Sequence, residues 1–231
     1  GEQITMEQAL MAAILPSANE ACNGIAEHIG GSIPEFTKMM NERAKQAGAL
    51  HTNFTNANGL CEEDHVTTAY DMAMITKTAL LNDQFRIIFG TPKYEIPPTN
   101  MQSEPRYLWA KHKMFAGGCY EYPGVIGGKT GYTDKSQSTL VTVAHRGDRE
   151  LIVVVIKSQN SAVYTDSKAL LDYGFNEFRE ERIILPSITA DNLMGETNAL
   201  AHIQQTVGNM EKINYTRLLQ KSIDVEDRVV D

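Results

Sequence analysis

The sequence lacks basic segments and long apolar runs, and each absence excludes a class of protein. Lys and Arg number 21 against 29 Asp and Glu, which gives a formal net charge of -8 over 231 residues. No Lys/Arg-rich segment offsets this charge, so we expect no nucleic-acid binding, which needs clustered cations to neutralise phosphates. No run of about 18 apolar residues is present, so we expect no membrane-spanning helix.

Cysteine and histidine are too few and too scattered for a metal site. Cys22, Cys61 and Cys119 form no Cys-x-x-Cys pair, and their odd number leaves at least one free thiol. The 6 histidines show no ligand spacing. We therefore expect no metal, no cofactor and no disulfide framework. A hydrophobic content of 42% is that of an ordinary globular protein, with length for one large domain or two smaller ones.

What the sequence does contain is a glycine-rich apolar stretch at 125–133, Val-Ile-Gly-Gly-Lys-Thr-Gly-Tyr-Thr. We interpret it as an exposed edge strand, to which an extended peptide adds as one more strand. Its glycines would let another backbone or a ligand approach closely. Lys129 would supply positive charge for a carboxylate, and Thr130 a hydroxyl beside it. The alternative is a surface Lys-Thr pair near a β-turn.

A second motif, Ser17-Ala18-Asn19, follows a predicted helix that ends at Pro16. Taken alone, Ser17 is expected to be an N-cap residue, whose hydroxyl accepts a hydrogen bond from a backbone N–H of the next helix. In penicillin-recognising serine enzymes, however, a Ser-x-Asn motif pairs with Lys-Thr-Gly. The presence of both motifs favours a shared site.

Longer stretches resemble the D-alanyl-D-alanine carboxypeptidases, the low-molecular-mass penicillin-binding proteins. The similar segments are 29–32, 39–41, 52–56, 58–60, 65–71 and 171–175. The resemblance implies an exported serine carboxypeptidase that acts on the D-Ala-D-Ala stem peptides of peptidoglycan through an acyl-enzyme, with β-lactam antibiotics as inhibitors. It also implies an extracytoplasmic location in the cell envelope, with membrane contact only through an anchor outside this chain.

The resemblance implies roles for six residues of the two motifs. Ser17 would relay a proton toward the leaving-group amine, and Asn19 would hydrogen-bond the amide of the substrate. Lys129 would place its charge near Ser17 and the substrate carboxylate, which Thr130 would hydrogen-bond. The backbone N–H of Tyr132 would be an oxyanion donor. The implied catalytic residues are Ser17, Asn19 and Lys129, and the implied substrate-binding residues are Thr130, Gly131 and Tyr132.

The family's nucleophile and base lie in a Ser-x-x-Lys motif, and no serine of this sequence has a lysine three positions on. The N-terminus also lacks the basic region and apolar core of a signal peptide. We therefore expect a chain truncated at its start and inactive alone. Two alternatives remain: a class A-like β-lactamase, although segment 58–70 resembles carboxypeptidases instead, and a non-catalytic peptidoglycan-binding relative.

The periodic patterns predict an α+β fold, with helices followed by an antiparallel sheet and a C-terminal packing helix. The resemblance implies the β-lactamase/transpeptidase type, with its N-terminal part missing. We predict residues 1–178 as the catalytic domain and 179–231 as a linker and the start of a β-rich domain. Segment 90–123 is predicted to be irregular because of its prolines. Tyr107 and Trp109 are predicted to lie in the core, and the alternative is that they line a groove. The predicted helices are 5–14, 18–28, 32–48, 68–82, 84–89 and 166–173, and the strands are 125–133, 139–145 and 150–157.

Overall fold

Helices come first along the chain and a sheet follows, as the sequence pattern predicts. The structure, a computed structural model, describes residues 1–178, and the prediction for 179–231 lies outside them. Within that range no helix is long and apolar enough to cross a bilayer. The helices are α1 (Met6–Ile14), α2 (Asn19–Gly30), α3 (Ile33–Gln46), α4 (Ala69–Ala79), α5 (Asp83–Phe89) and α6 (Ala162–Glu177). The strands are β1 (Lys93–Ile96), β2 (Arg106–Trp109), β3 (Val125–Thr133), β4 (Gln137–Arg146) and β5 (Arg149–Ser158).

Hydroxyl side chains cap the N-termini of three helices. Thr5, Ser32 and Thr68 each accept a hydrogen bond from the backbone N–H three residues on, at 3.2, 3.3 and 3.1 Å. At Thr5 the bond is reciprocal, because Gln8 Oε1 accepts from the Thr5 N–H at 2.8 Å. Such caps are each worth about 1 kcal/mol. The starts of α1, α3 and α4 are therefore fixed by local sequence.

The sheet of β3, β4 and β5 is antiparallel, with β3 at one edge, and helices cover both of its faces. Along β4, Leu140 and Ala144 pack in a core cluster with residues of α6 such as Leu171. Val143 points to the opposite face, where it packs against Phe89 at the end of α5. Val153 and Ile152 of β5 likewise pack in the clusters on opposite faces, which explains the continuous apolar run of this strand.

A two-stranded antiparallel sheet of β1 and β2 occupies part of the segment that we predicted to be irregular. Pro92, Pro97 and Pro105 lie just outside the two strands, so they bound the hairpin and remove no hydrogen bond from it. The predicted core placement of Tyr107 and Trp109 is wrong, because both side chains are exposed.

Helix α6 extends at both ends beyond its predicted range and continues past Gly174. α6 begins four residues before the predicted start and continues through Gly174 to Glu177. A Cβ atom at Gly174 would lie 2.7 Å from Leu151 Cδ1. Gly174 therefore lies where α6 contacts the Leu151 side chain of β5, and the predicted helix end at this residue is wrong.

Candidate active site

Ser17 lies at the corner between α1 and α2, with its backbone in the left-handed region at φ 61°. The helix cap is the next residue, Ala18, which makes no side-chain cap bond, so the N-cap interpretation of Ser17 is wrong. The corner is held by buried Leu15 and by the hydrogen bond from the Ala18 N–H to the Ala12 carbonyl at 2.9 Å. A non-glycine residue in this region costs of order 1 kcal/mol and such outliers cluster at functional sites.

Lys129, on strand β3, connects the two motifs. Its Nζ donates a hydrogen bond to Ser17 Oγ across 112 residues of sequence and a second one, at 2.7 Å, to the Thr130 carbonyl. Ser17 and Lys129 therefore lie within hydrogen-bonding distance of each other, as a shared site requires. The Ser17 hydroxyl caps no helix and instead accepts this hydrogen bond from the sheet.

The environment of Lys129 disfavours its charged form. Burial lowers the pKa of Lys129 to about 8, and the nearby positive charge of Lys111 acts in the same direction. Burial likewise raises the pKa of the Cys22 thiol in α2, whereas the positive charge of Lys129 acts to lower it. At pH 7 the ammonium remains mostly charged, but in an incompletely compensated setting that favours an anionic ligand.

The glycines of β3 serve close packing within the protein. A Cβ at Gly127 would lie 2.2 Å from Phe89 Cδ1, and one at Gly128 would lie 2.2 Å from His112 Cδ2. A Cβ at Gly131 would lie 2.5 Å from Thr139 Oγ1 of the paired strand. These three glycines therefore let the protein's own side chains approach β3 closely. Within residues 1–178, no strand pairs with the edge of β3 opposite β4.

The loop after β2 connects both motifs and was not singled out in the sequence. The Lys111 N–H donates to the Leu15 carbonyl at 3.2 Å, two residues before Ser17. Next to it, buried His112 shares a hydrogen bond of 2.9 Å with Thr142 Oγ1. Burial lowers the pKa of His112 to about 4, so it is neutral at pH 7 and acts as an anchor. No local pattern marks this loop, because its role depends on contacts with distant segments.

Of the remaining predicted site residues, only Thr130 hydrogen-bonds to the pair, through its backbone carbonyl. Asn19 opens α2 and is half-buried, and within residues 1–178 its amide has no hydrogen-bond partner. The Thr130 hydroxyl is likewise unpaired in that range. Gly131 and Tyr132 are exposed and pair with β4, and the Tyr132 hydroxyl donates to Asp134 Oδ1 at 3.3 Å.

This arrangement combines a hydroxyl, an ammonium, unpaired amide and hydroxyl groups and an open strand edge. It can hold an extended peptide that carries a carboxylate, and it can pass a proton between the ammonium, the Ser17 hydroxyl and a bound amine. A nucleophile activated by a neighbouring base is a separate requirement of acyl transfer.

Comparison with solved structures defines the class of protein. The crystal structure of the Streptomyces K15 DD-transpeptidase aligns with a TM-score of 0.69 and 26% identity, covering 75% of this chain and 69% of that one. A D-alanyl-D-alanine carboxypeptidase from Mycobacterium tuberculosis aligns with a TM-score of 0.67 and 28% identity, covering 80% of this chain and 66% of that one. The α+β fold is therefore of the transpeptidase and β-lactamase-like type.

The family follows from sequence. Residues 1–160 match the family model of the D-alanyl-D-alanine carboxypeptidases, Peptidase_S11. The D-alanyl-D-alanine carboxypeptidase DacF of Bacillus subtilis is 34% identical over 183 residues, which cover 77% of this chain and 44% of DacF. The chain belongs to the D-alanyl-D-alanine carboxypeptidase family, and it spans less than half the length of this relative.

Proposed function

We propose that this chain carries the substrate-binding part of a serine-type D-Ala-D-Ala carboxypeptidase, which acts on peptidoglycan stem peptides through an acyl-enzyme. The observation that carries the proposal is the contact between Lys129 and Ser17 beside the open edge of β3. Family membership and the names of the relatives support the same reaction. β-Lactams would occupy this site as inhibitors, and the enzyme would act outside the cytoplasm, in the cell envelope.

In this proposal the substrate lies along β3 with its terminal carboxylate at Lys129 and Thr130. Both side chains can donate to an anion, because the Lys129 ammonium has a third N–H beyond its bonds to Ser17 and Thr130, and the Thr130 hydroxyl has no partner within the described residues. The backbone N–H of Tyr132 donates to the oxyanion, and Gly131 belongs to the strand on which the peptide lies. An oxyanion donor of this kind lowers the barrier by about 3 kcal/mol.

The other half of the proposal concerns proton transfer. Ser17 passes a proton toward the leaving-group amine, since its hydroxyl accepts from Lys129 and can donate onward. Asn19, whose amide is unpaired in the described residues, hydrogen-bonds the amide of the substrate. The nucleophile belongs to a Ser-x-x-Lys motif, which is absent from the 231 residues. The chain alone therefore binds substrate and does not cleave it.

The experiment compares this chain with a longer one that includes a Ser-x-x-Lys segment. Release of D-alanine from a D-Ala-D-Ala peptide should occur with the longer chain only, and Lys129→Gln or Ser17→Ala in it should lower kcat/KM by tenfold or more. Lys113→Gln is the matched control, since this exposed lysine lies in the same loop as Lys111. Full activity of the Lys129→Gln variant would remove the proposed site.

A further inference from the structure

The outward face of the β1–β2 hairpin carries two aromatic side chains that the proposed reaction does not use. Tyr107 and Trp109 are 53% and 60% exposed. The strand register pairs Lys93 with Trp109 and Glu95 with Tyr107, so all four side chains lie on one face. On the other face, Ile96 is buried. The exposed face therefore combines two rings, one cation and one carboxylate; we name these four residues the aromatic platform.

Lys93 contacts both rings of the platform through cation–π interactions. Lys93 Nζ lies 4.7 Å from the ring centroid of Trp109 and 5.4 Å from that of Tyr107. Cation–π contacts at exposed sites are worth about 0.5–1 kcal/mol each. They restrain both rings before any ligand arrives, which lowers the entropy lost on binding. More than half of each aromatic side chain stays exposed with Lys93 in place.

The platform is continuous in the chain with the candidate active site. Ala110, directly after Trp109, donates its N–H to the Pro92 carbonyl at 2.9 Å and keeps the hairpin end closed. Lys111 then bonds to Leu15, beside the Ser17 corner. The loop that follows the platform therefore runs from the closed end of the hairpin to the Ser17 corner.

We propose that the aromatic platform is a subsite that stacks against sugar rings of the glycan to which a stem peptide is attached. The choice of ligand rests on the proposed function. The face of a pyranose ring presents C–H groups, which pack on the negative face of an aromatic ring. The hydroxyl and amide groups at its rim need donors and acceptors, which Lys93 and Glu95 supply. Because polar groups surround the two rings, a sugar is a better ligand for the platform than an apolar protein partner would be.

The test uses the 231-residue chain and a short oligomer of N-acetylglucosamine without peptide. Trp109 is the only tryptophan, so its fluorescence reports on the platform directly. We expect a saturable change in emission, and an affinity lowered about fivefold or more by Tyr107→Ala. Tyr70→Ala is the matched control, because Tyr70 is exposed to a similar degree in α4; this variant should keep the wild-type affinity.

Binding of a D-Ala-D-Ala peptide, measured by NMR on the same samples, separates this inference from the proposed function. Unchanged Trp109 emission at high sugar concentration in a chain that binds the peptide overturns the subsite alone. A saturable sugar response in a chain that does not bind the peptide supports the subsite and removes the proposed function. A response to a protein or to lipid vesicles, and none to the sugar, overturns the assignment to a glycan.

Discussion

Replacing Lys129 by methionine should stabilise the fold while removing its ligand site. The drop in pKa of Lys129 from its ordinary value of 10.5 to about 8 means that the charged form is disfavoured by about 3 kcal/mol in the folded chain. The variant loses the hydrogen bonds to Ser17 and Thr130, each worth about 1 kcal/mol. The expected net gain at pH 7 is about 1–2 kcal/mol in free energy of unfolding, because methionine fills similar space without a charge.

The sign of this effect depends on pH. Between about pH 8 and 10.5 the unfolded chain binds more protons at Lys129 than the folded chain, so the stability of the wild type rises with pH in this window. The advantage of Lys129→Met should therefore shrink above pH 8 and be smallest near pH 10.5.

Urea denaturation followed by fluorescence or circular dichroism at pH 7 and pH 10 measures both quantities. Lys113→Met, an exposed change in the loop after β2, is the control and should alter stability by less than about 0.5 kcal/mol. If Lys129→Met is less stable than the wild type at pH 7, Lys129 is a stabilising ion and the electrostatic argument for an anion site is wrong.

The remaining predictions concern the site, its nucleophile and the helical part of the fold. In a longer chain with a Ser-x-x-Lys segment, Thr130→Val should cost about 1.5–3 kcal/mol in kcat/KM on a D-Ala-D-Ala peptide, as for a lost hydrogen bond to a charged group; an unchanged value removes Thr130 from the site. The 231-residue chain should form no covalent adduct with a fluorescent penicillin on a denaturing gel, and a labelled band that disappears with Ser17→Ala would identify Ser17 as the nucleophile. Asp71→Ala should lower the free energy of unfolding by about 2–3 kcal/mol, because it removes the buried carboxylate that accepts from the His51 N–H at 2.7 Å and the Thr52 hydroxyl at 2.8 Å; equal urea midpoints would contradict this. Burial alone would raise the pKa of Asp71, but these hydrogen bonds hold it below its ordinary value of 3.8, so its contribution is fully present above that pH and is lost as pH falls further.

Local signals predicted the starts of α1, α3 and α4 and the core strands well. The hydroxyl caps at Ser32 and Thr68 act within three residues, and the continuous apolar run of β5 reflects a strand covered on both faces. These features depend on neighbouring residues or on a fixed period, which a single sequence contains in full.

Features decided by distant contacts could not be predicted locally. Gly174 is a helix-ending residue by local rule, but its packing against Leu151 decides its role. The hydroxyl of Ser17 fits an N-cap locally, whereas in the structure it accepts from a lysine of the sheet. Lys111 lies near Lys129 because of the fold, and no local sequence pattern indicates this proximity. No local pattern connects the two motifs. Their proximity could be predicted only because the same motifs pair in penicillin-recognising enzymes.

The central claim, that Ser17 and Lys129 form a site for a peptide carboxylate, is tested most directly by a matched pair of ligands. NMR titration of the 231-residue chain at pH 7 would compare a D-Ala-D-Ala peptide with the same peptide ending in a carboxamide. We predict that the acid binds at least about tenfold more tightly than the amide, as expected for a hydrogen-bonded charge, and that Lys129→Gln abolishes the difference. Equal affinity of the wild-type chain for the acid and the amide would contradict the account.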